Sequence, residues 1–555
     1  MSITLKHKRL DLLAAASIIF LGIITITLRD FIPYDETRYI AVAWEMWRDH
    51  NFLIPHINGK IYSDKPPLLF WLVHLGWFLT GVNEWWPRSI PFIFSIINIY
   101  LTRYIAQRLW PDMEEIKQVV PLVLVSMPLW LFYTTPFMFD MFQVCLVLVA
   151  ITGILQFHER HNYGVLVFGV AAGAGFLLKG PVIFIYILPL ALTLPFWDRK
   201  YSYGYSKLLL QILAGLLISS LIISCWLVPV IQSLGLDQVG KLFWHQTAGR
   251  IVHGISHRRP LLWYLYFMPL VLFPWLYRPG FLRMIAVKPA QISPPMIFCM
   301  LWILPPFILL SLFESKQLHY LLPLLPPLAI VIAHRLVTEK RENSLNYRIV
   351  GLLYISLAIV FLTTLTLNTH IQLIKWIYEV PPWWLLVTFF SGLLLCAGKT
   401  RLEYPVTLTA GATLAVIFAF YICALLATRP FTGIDHMARI VAELQDKNIP
   451  VAHIGSHREQ FEFNGRLKKS LDKVERDTVK SWARKNPDGY VIARIAATDY
   501  LDVQPHIIFK QPYRFRQELI LISSEGILVH NTRNKRKSSD VRQFKGDDKT
   551  VRFDG

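Results

Sequence analysis

Two short segments near the start of the chain carry ionisable side chains at spacings suited to chemistry on a phosphorylated substrate. The first is Pro33-Tyr-Asp-Glu-Thr-Arg-Tyr39, where Asp35 and Arg38 stand three residues apart and share one face of any helix that forms. The second is Ser63-Asp-Lys-Pro-Pro-Leu68, whose prolines hold the backbone around Lys65 extended. A carboxylate such as Asp35, with Glu36 beside it, can take a proton from an attacking nucleophile or orient it. Arg38 and Lys65 can clamp a phosphate leaving group, which gains charge in the transition state. A plainer reading stays open: Asp35 as a helix cap, Arg38 as its salt-bridge partner and Lys65 as an interfacial lysine with a buried stem.

Three later segments add candidates. Lys179-Gly-Pro181 breaks an apolar stretch with a lysine at the break, and ionisable groups in such places tend to be functional. Glu314-Ser-Lys316-Gln-Leu-His319-Tyr320 is a polar knot between apolar runs, where Tyr320 or Lys316 could donate to a phosphate and His319 is a further candidate; the plainer reading is a tight loop. The 233–260 loop holds His245 and Arg250; His245 with Asp64 could ligate a divalent metal.

What positions these residues is a membrane bundle. Of 555 residues 54% are hydrophobic and 17% charged, far too apolar a balance for an ordinary soluble protein. The apolar residues gather in runs near the roughly 20 residues that cross a bilayer. About thirteen candidate spans result, near 10–28, 89–107, 118–134, 139–157, 164–178, 181–196, 208–232, 261–277, 296–313, 318–336, 349–368, 383–398 and 405–426. The first follows Lys6, Lys8 and Arg9 without a small-x-small cleavage site and reads as a retained anchor. Basic residues cluster in alternate short loops, including Arg199 with Lys200, and Lys340 with Arg341. With the N-terminus cytoplasmic, that alternation follows the positive-inside rule and places the tail outside. The net charge of +19 then reflects topology signals and anionic lipid surfaces rather than a nucleic-acid partner. All five cysteines fall inside apolar runs, which leaves no disulfide framework in the loops.

The expected fold is an all-α polytopic bundle over 1–428 with a C-terminal α/β soluble domain over 429–530 and a basic, disordered end over 531–555. Within the first region, 29–88 forms an external loop with helices lying along the interface; Tyr39, Val42, Ala43, Met46 and Trp47 give the first of these its apolar face. Asn58-Gly59 makes a turn. In the tail, Val451–Ile454, 490–493 and 519–522 alternate like strands, with helices expected near 434–447 and 470–485.

The order DE-x-R-Y, N-G-x-x-Y-x-x-K-P-P-L, L-x-K-G-P and S-K-x-x-H-Y-x-L-P-L-x-P-P-L-A resembles the bacterial GT-C glycosyltransferases. Among them it is most similar to the 4-amino-4-deoxy-L-arabinose lipid A transferase family (ArnT) and its protein-mannosyltransferase-like relatives. The matching residues are Asp35, Glu36, Arg38 and Tyr39; Asn58, Gly59, Tyr62 and Lys65 to Leu68; Lys179 to Pro181; and Ser315 to Ala329. The resemblance implies a GT-C bundle in a bacterial inner membrane, with its C-terminal domain periplasmic. It implies an undecaprenyl-phosphate-linked sugar donor, an inverting transfer with no nucleotide cofactor, and lipid A as acceptor at the outer leaflet. It assigns Asp35 to catalysis and Arg38, Lys65 and Tyr320 to the lipid phosphate, with Lys179 nearby. Where the family often carries Glu, this chain has Asp64, which bears on any metal role. Two other readings stay open: the same chemistry with a protein, glycan or other lipid acceptor, and a lipid or sugar transporter. The gathering of charged candidates at one membrane face speaks against the transporter.

Overall fold

The computed structural model describes residues 10–158, 162–240, 258–277, 292–338, 346–367, 380–397, 405–455, 460–496, 506–514 and 517–528. Two compact units emerge, each assembled from discontinuous chain. One comprises Met1–Asp30 and Glu45–Arg429; the other comprises Phe31–Trp44 and Pro430–Gly555. Asp35 therefore shares a compact unit with the C-terminal tail rather than with the helices that flank it in sequence.

The first unit is a helical bundle that spans a membrane several times. Among the described residues seven helices are long and apolar enough to cross: Leu10–Leu28, Trp85–Leu109, Gly204–Leu234, Pro294–Leu312, Leu318–Thr338, Tyr347–Thr366 and the helix opening at Val406. Glu114–Val125 and Pro128–Thr134 make an eighth if taken together, bent by 66° at the break. The remaining apolar runs are shorter helices: Asp140–Ile154, Tyr163–Lys179, Val182–Leu192, Trp263–Val271 and Trp383–Ala397. Proline sets several of these lengths, because its ring bars the preceding turn and removes a donor. Large apolar side chains such as Leu210, Leu213, Leu217 and Leu221 are more than 60% exposed along one face of Gly204–Leu234. In water that face would be an aggregation hazard, and in a bilayer it is the lipid-facing surface.

Inside the bundle, small residues let backbones touch. A Cβ placed on Gly169 would lie 2.6 Å from the Gly215 carbonyl oxygen of the neighbouring helix. Contact that close requires glycine and is the usual means by which membrane helices pack, since apolar side chains gain little by leaving lipid.

Between the first two long helices, His56–Ile57 and Lys60–Ile61 pair as a two-stranded hairpin. Asn58 and Gly59 both take positive φ, 54° and 71°, as the expected turn requires. The Gly59 N–H donates to Glu45 Oε1 at 2.7 Å, and Glu45 is 2% exposed. Burial pushes the Glu45 carboxyl above its ordinary value, with the Gly59 N–H and the Arg48 guanidinium opposing it. A raised folded-state pKa means that the fold favours the protonated acid. The contribution of Glu45 to stability is then present at low pH and lost as pH rises through its folded value. Glu45→Gln keeps an acceptor for Gly59 without the charge. It is expected to melt a few degrees above wild type at neutral pH, on the order of 1 kcal/mol, and level with it in acid. Melting curves across pH, read on the full chain in detergent, check this.

The second unit is α/β. Its five-stranded sheet runs, edge to edge, Asp472–Val474, Val451–Ile454, Tyr490–Ala496, Gln517–Ser523 and Ile507–Tyr513. The first three strands are parallel and the last two antiparallel to their neighbours. Helix Asp435–Asp446 buries Met437, Ala438 and Val441 in the same core as Val451, Ile492 and Leu519. The helix expected over 470–485 is half right: Val479–Lys485 is helical, but Asp472–Val474 is a strand. Parallel pairing of Ala452 with Asp472 captures that segment, a tertiary contact outweighing local preference. The terminal stretch 531–555 lies outside the described residues.

Candidate active site

In the bundle, four elements converge on one buried carboxylate. Helix Tyr163–Lys179 ends where Gly180 takes φ 76°, a left-handed turn that glycine makes without strain, and Pro181 opens the next helix. That stop leaves Lys179 on the final turn, and its Nζ donates to Asp140 Oδ1 at 2.6 Å. Asp140 stands in the first turn of Asp140–Ile154, its side chain 4% exposed. The 3-10 segment Leu318–Leu324 brings His319 Nε2 to 4.0 Å from the same oxygen. Lys65 completes the set, lying within electrostatic reach of Asp140.

Tyrosines fix the backbone around this centre. Tyr186 Oη donates to the Tyr320 carbonyl at 2.8 Å, and Tyr264 Oη to the Gln317 carbonyl at 3.3 Å. The Lys179 ammonium sits 5.4 Å from the centre of the Tyr320 ring. Asp140 thus faces the Lys179 ammonium directly, with Lys65 and the His319 imidazole near it. Cationic N–H donors gathered about one point suit a phosphate.

Lys65 also borders a small apolar groove. Ile54, Trp226, Val230 and Leu234 line it, and Trp226 is anchored through Nε1 to the Leu53 carbonyl at 3.0 Å. A hydrocarbon-lined trough ending at a lysine can hold a long apolar chain with an anionic head.

In the second unit, helix Asp35–Arg48 begins with its two acids in different surroundings. The Asp35 side chain is 55% exposed and accepts from Arg38 Nη2 at 2.5 Å. Arg38 also donates to Tyr39 Oη at 3.3 Å. Glu36 is buried, and its Oε2 accepts the Ile32 N–H at 2.7 Å. Asp35 is thus presented to solvent, while Glu36 stabilises the turn that leads into the helix.

A sequence profile of the dolichyl-phosphate-mannose-protein mannosyltransferase family matches residues 64–228. The undecaprenyl phosphate-α-4-amino-4-deoxy-L-arabinose arabinosyl transferase of Pseudomonas aeruginosa (strain UCBPP-PA14) is 31% identical over 396 residues, 69% of each chain. This chain belongs to the arabinosyl transferase family. The protein of the same name from Pseudomonas paraeruginosa (strain DSM 24068 / PA7) is 30% identical over 394 residues, again 69% of each chain. The crystal structure of ArnT from Cupriavidus metallidurans bound to undecaprenyl phosphate shares the fold. Its TM-score is 0.72 at 18% identity, covering 92% of this chain and 97% of that one. As a family member the chain is a membrane glycosyltransferase of the GT-C type, as its motifs imply.

Against that family background, the sequence candidates divide clearly. Lys65, Lys179, His319 and Tyr320 come together in the bundle, and Asp35, Glu36 and Arg38 lie together in the second unit. Lys316 does not behave as a free phosphate ligand: it is 3% exposed, and its Nζ donates to the backbone carbonyls of Arg259 at 3.1 Å and Phe313 at 2.5 Å. It staples the polar knot. His245 and Arg250 lie outside the described residues, so the pairing of His245 with Asp64 does too. Among the described residues no three His, Cys, Asp or Glu side chains gather as metal ligands.

Two residues escaped the sequence reading, Asp140 and Tyr186. Asp140 did leave a signal: it is the sole acid between Glu115 and Glu159, set in an apolar run. A lone carboxylate at that depth marks a functional group or an ion pair. Tyr186 left none, since a tyrosine in an apolar helix looks like core.

Proposed function

We propose that this transferase moves 4-amino-4-deoxy-L-arabinose from undecaprenyl phosphate to lipid A at the periplasmic face of a bacterial inner membrane. The observation that carries the reading is the gathering of Lys179, His319 and Lys65 around Asp140, with Lys65 also bordering an apolar groove. Lys65, Lys179 and Tyr320 hold the donor phosphate, with Asp140 keeping Lys179 charged and aimed. Asp35 takes or orients the acceptor proton, and Arg38 supports the developing negative charge. The acceptor oxygen bonds to the sugar's anomeric carbon as the bond to the phosphate oxygen breaks. The electron pair leaves with undecaprenyl phosphate, whose charge the lysines offset. Thirteen crossings with a cytoplasmic N-terminus and a periplasmic tail complete the proposal, the short helices counting as crossings within the bundle.

Purified full-length protein given undecaprenyl-phosphate-linked aminoarabinose and lipid A is expected to yield lipid A heavier by one sugar residue. Lys65→Ala should raise KM for the donor about ten- to hundredfold, as loss of a charge-assisted phosphate contact does. Transfer to a different acceptor with lipid A untouched would redirect the assignment, and donor binding unaffected by Lys65→Ala would remove the phosphate role.

A further inference from the structure

The second unit holds the helix that bears Asp35 at both ends. At one end, Trp44 Nε1 donates to the Leu467 carbonyl at 3.1 Å, its ring meets Phe463 edge-on at 6.4 Å, and the Arg466 guanidinium lies 5.7 Å from its centre. Phe31, just before the helix, packs edge-on against the same Phe463 at 5.6 Å. These contacts are largely apolar and fix where the segment lies. The contact at Tyr34 differs in kind. Arg494, on strand Tyr490–Ala496, donates from Nη1 to Tyr34 Oη at 2.5 Å. Arg514, just past strand Ile507–Tyr513, puts its guanidinium 4.3 Å from the centre of the Tyr34 ring. The Arg514 N–H in turn donates to the Phe431 carbonyl at 2.7 Å, tying that residue to the chain entering the domain. Tyr34 immediately precedes Asp35, and its carbonyl accepts the Arg38 N–H at 3.2 Å, the first bond of the helix.

We propose that Arg494 and Arg514 are positioning residues for the Asp35 carboxylate, acting through Tyr34. The C-terminal sheet thereby fixes the direction in which the helix starts, and so the aim of its first side chain. The contacts at Trp44 lie about two and a half turns along the helix from Asp35 and locate the segment, whereas the bond to the Tyr34 phenol acts at the residue next to it. A carboxylate on an exposed first turn, paired with the half-exposed Arg38, would otherwise sample several aims. Small misplacements of a catalytic group cost rate steeply, about a hundredfold for 1 Å. The tail is on this view part of the catalytic apparatus. The inference rests on the reading of Asp35 as the catalytic carboxylate.

Tyr34→Phe removes only the phenol oxygen and leaves the ring beneath Arg514; Arg494→Gln removes the charge; Arg494→Lys keeps it. In the full-length protein, Tyr34→Phe and Arg494→Gln are expected each to lower kcat about ten- to hundredfold with the donor KM unchanged. Together they should cost no more than one alone, because both break one contact. Arg494→Lys should recover part of the loss. Independently of turnover, hydrogen exchange at the amides of residues 34–40 should speed up in Arg494→Gln while the sheet strands keep wild-type protection. Wild-type kcat in both single variants, additive losses, or exchange that rises across the whole sheet would each overturn the proposal. Asp35→Asn run beside them separates the two claims. If it turns over normally the catalytic assignment falls, while the exchange experiment still decides whether Arg494 holds the segment.

Discussion

Replacing Asp140 by asparagine is expected to abolish transfer and to lower the melting temperature of the full chain together. Asp140 is the buried counter-charge for Lys179 at 2.6 Å, and His319 Nε2 lies 4.0 Å from the same oxygen. Asparagine can still accept a hydrogen bond, but it leaves the Lys179 ammonium, 11% exposed, without a neutralising charge. Removing one member of a buried ion pair costs about 3–5 kcal/mol, most of it the penalty of the stranded partner. A stranded Lys179 is expected to turn away, which takes a cation from the centre. Asp140→Asn combined with Lys179→Met is the informative control. With no charge stranded, the double variant should regain most of its thermal stability, since an apolar pair of similar volume often matches a buried ion pair. Transfer should not return. Melting in detergent and turnover with lipid-linked donor read both effects. An Asp140→Asn protein with normal melting and normal turnover would show that the cluster is neither structural nor catalytic.

Asp35→Asn is expected to do the opposite, lowering turnover about 10²–10⁴-fold while leaving stability almost untouched. The Asp35–Arg38 pair is short, but its side chains are 55% and 34% exposed. Water and salt screen such pairs, which contribute at most about 1 kcal/mol. Glu36, not Asp35, makes the buried bond to the Ile32 N–H, so the turn into the helix survives the change. Donor KM should also hold, because the substitution leaves every lysine in place. A fall in melting temperature matching that of Asp140→Asn would mean that Asp35 serves the fold. Wild-type turnover would remove it from the chemistry. The contrast between the two aspartates is the useful result: one is a buried counter-ion, the other an exposed carboxylate.

The motif residues were legible because each sits beside a local signal. Lys65 precedes two prolines, Lys179 precedes Gly180 and Pro181, and His319 with Tyr320 opens a proline-rich run. Such signals fix backbone conformation over a few residues, and chain order displays them directly. What local signals could not show is how each side chain is used. Lys316 and Lys179 looked alike as lysines between apolar runs. One turned out to bind two backbone carbonyls and the other a buried carboxylate.

By itself the sequence determined the membrane class, the helical character of the apolar runs, the turn at Asn58-Gly59 and three of the five strands of the tail sheet. These follow from hydropathy and backbone preference, which act between near neighbours and accumulate along each segment. Only the tertiary structure decided that Asp140 meets Lys179, 39 residues away in sequence, and Tyr186 the Tyr320 carbonyl, 134 away. It likewise decided that Phe31–Trp44 joins the C-terminal domain and that Asp472–Val474 is a strand. Each of these depends on which distant groups are buried together. Burial multiplies the worth of a charge pair or a strand contact that, in the open chain, water would cancel.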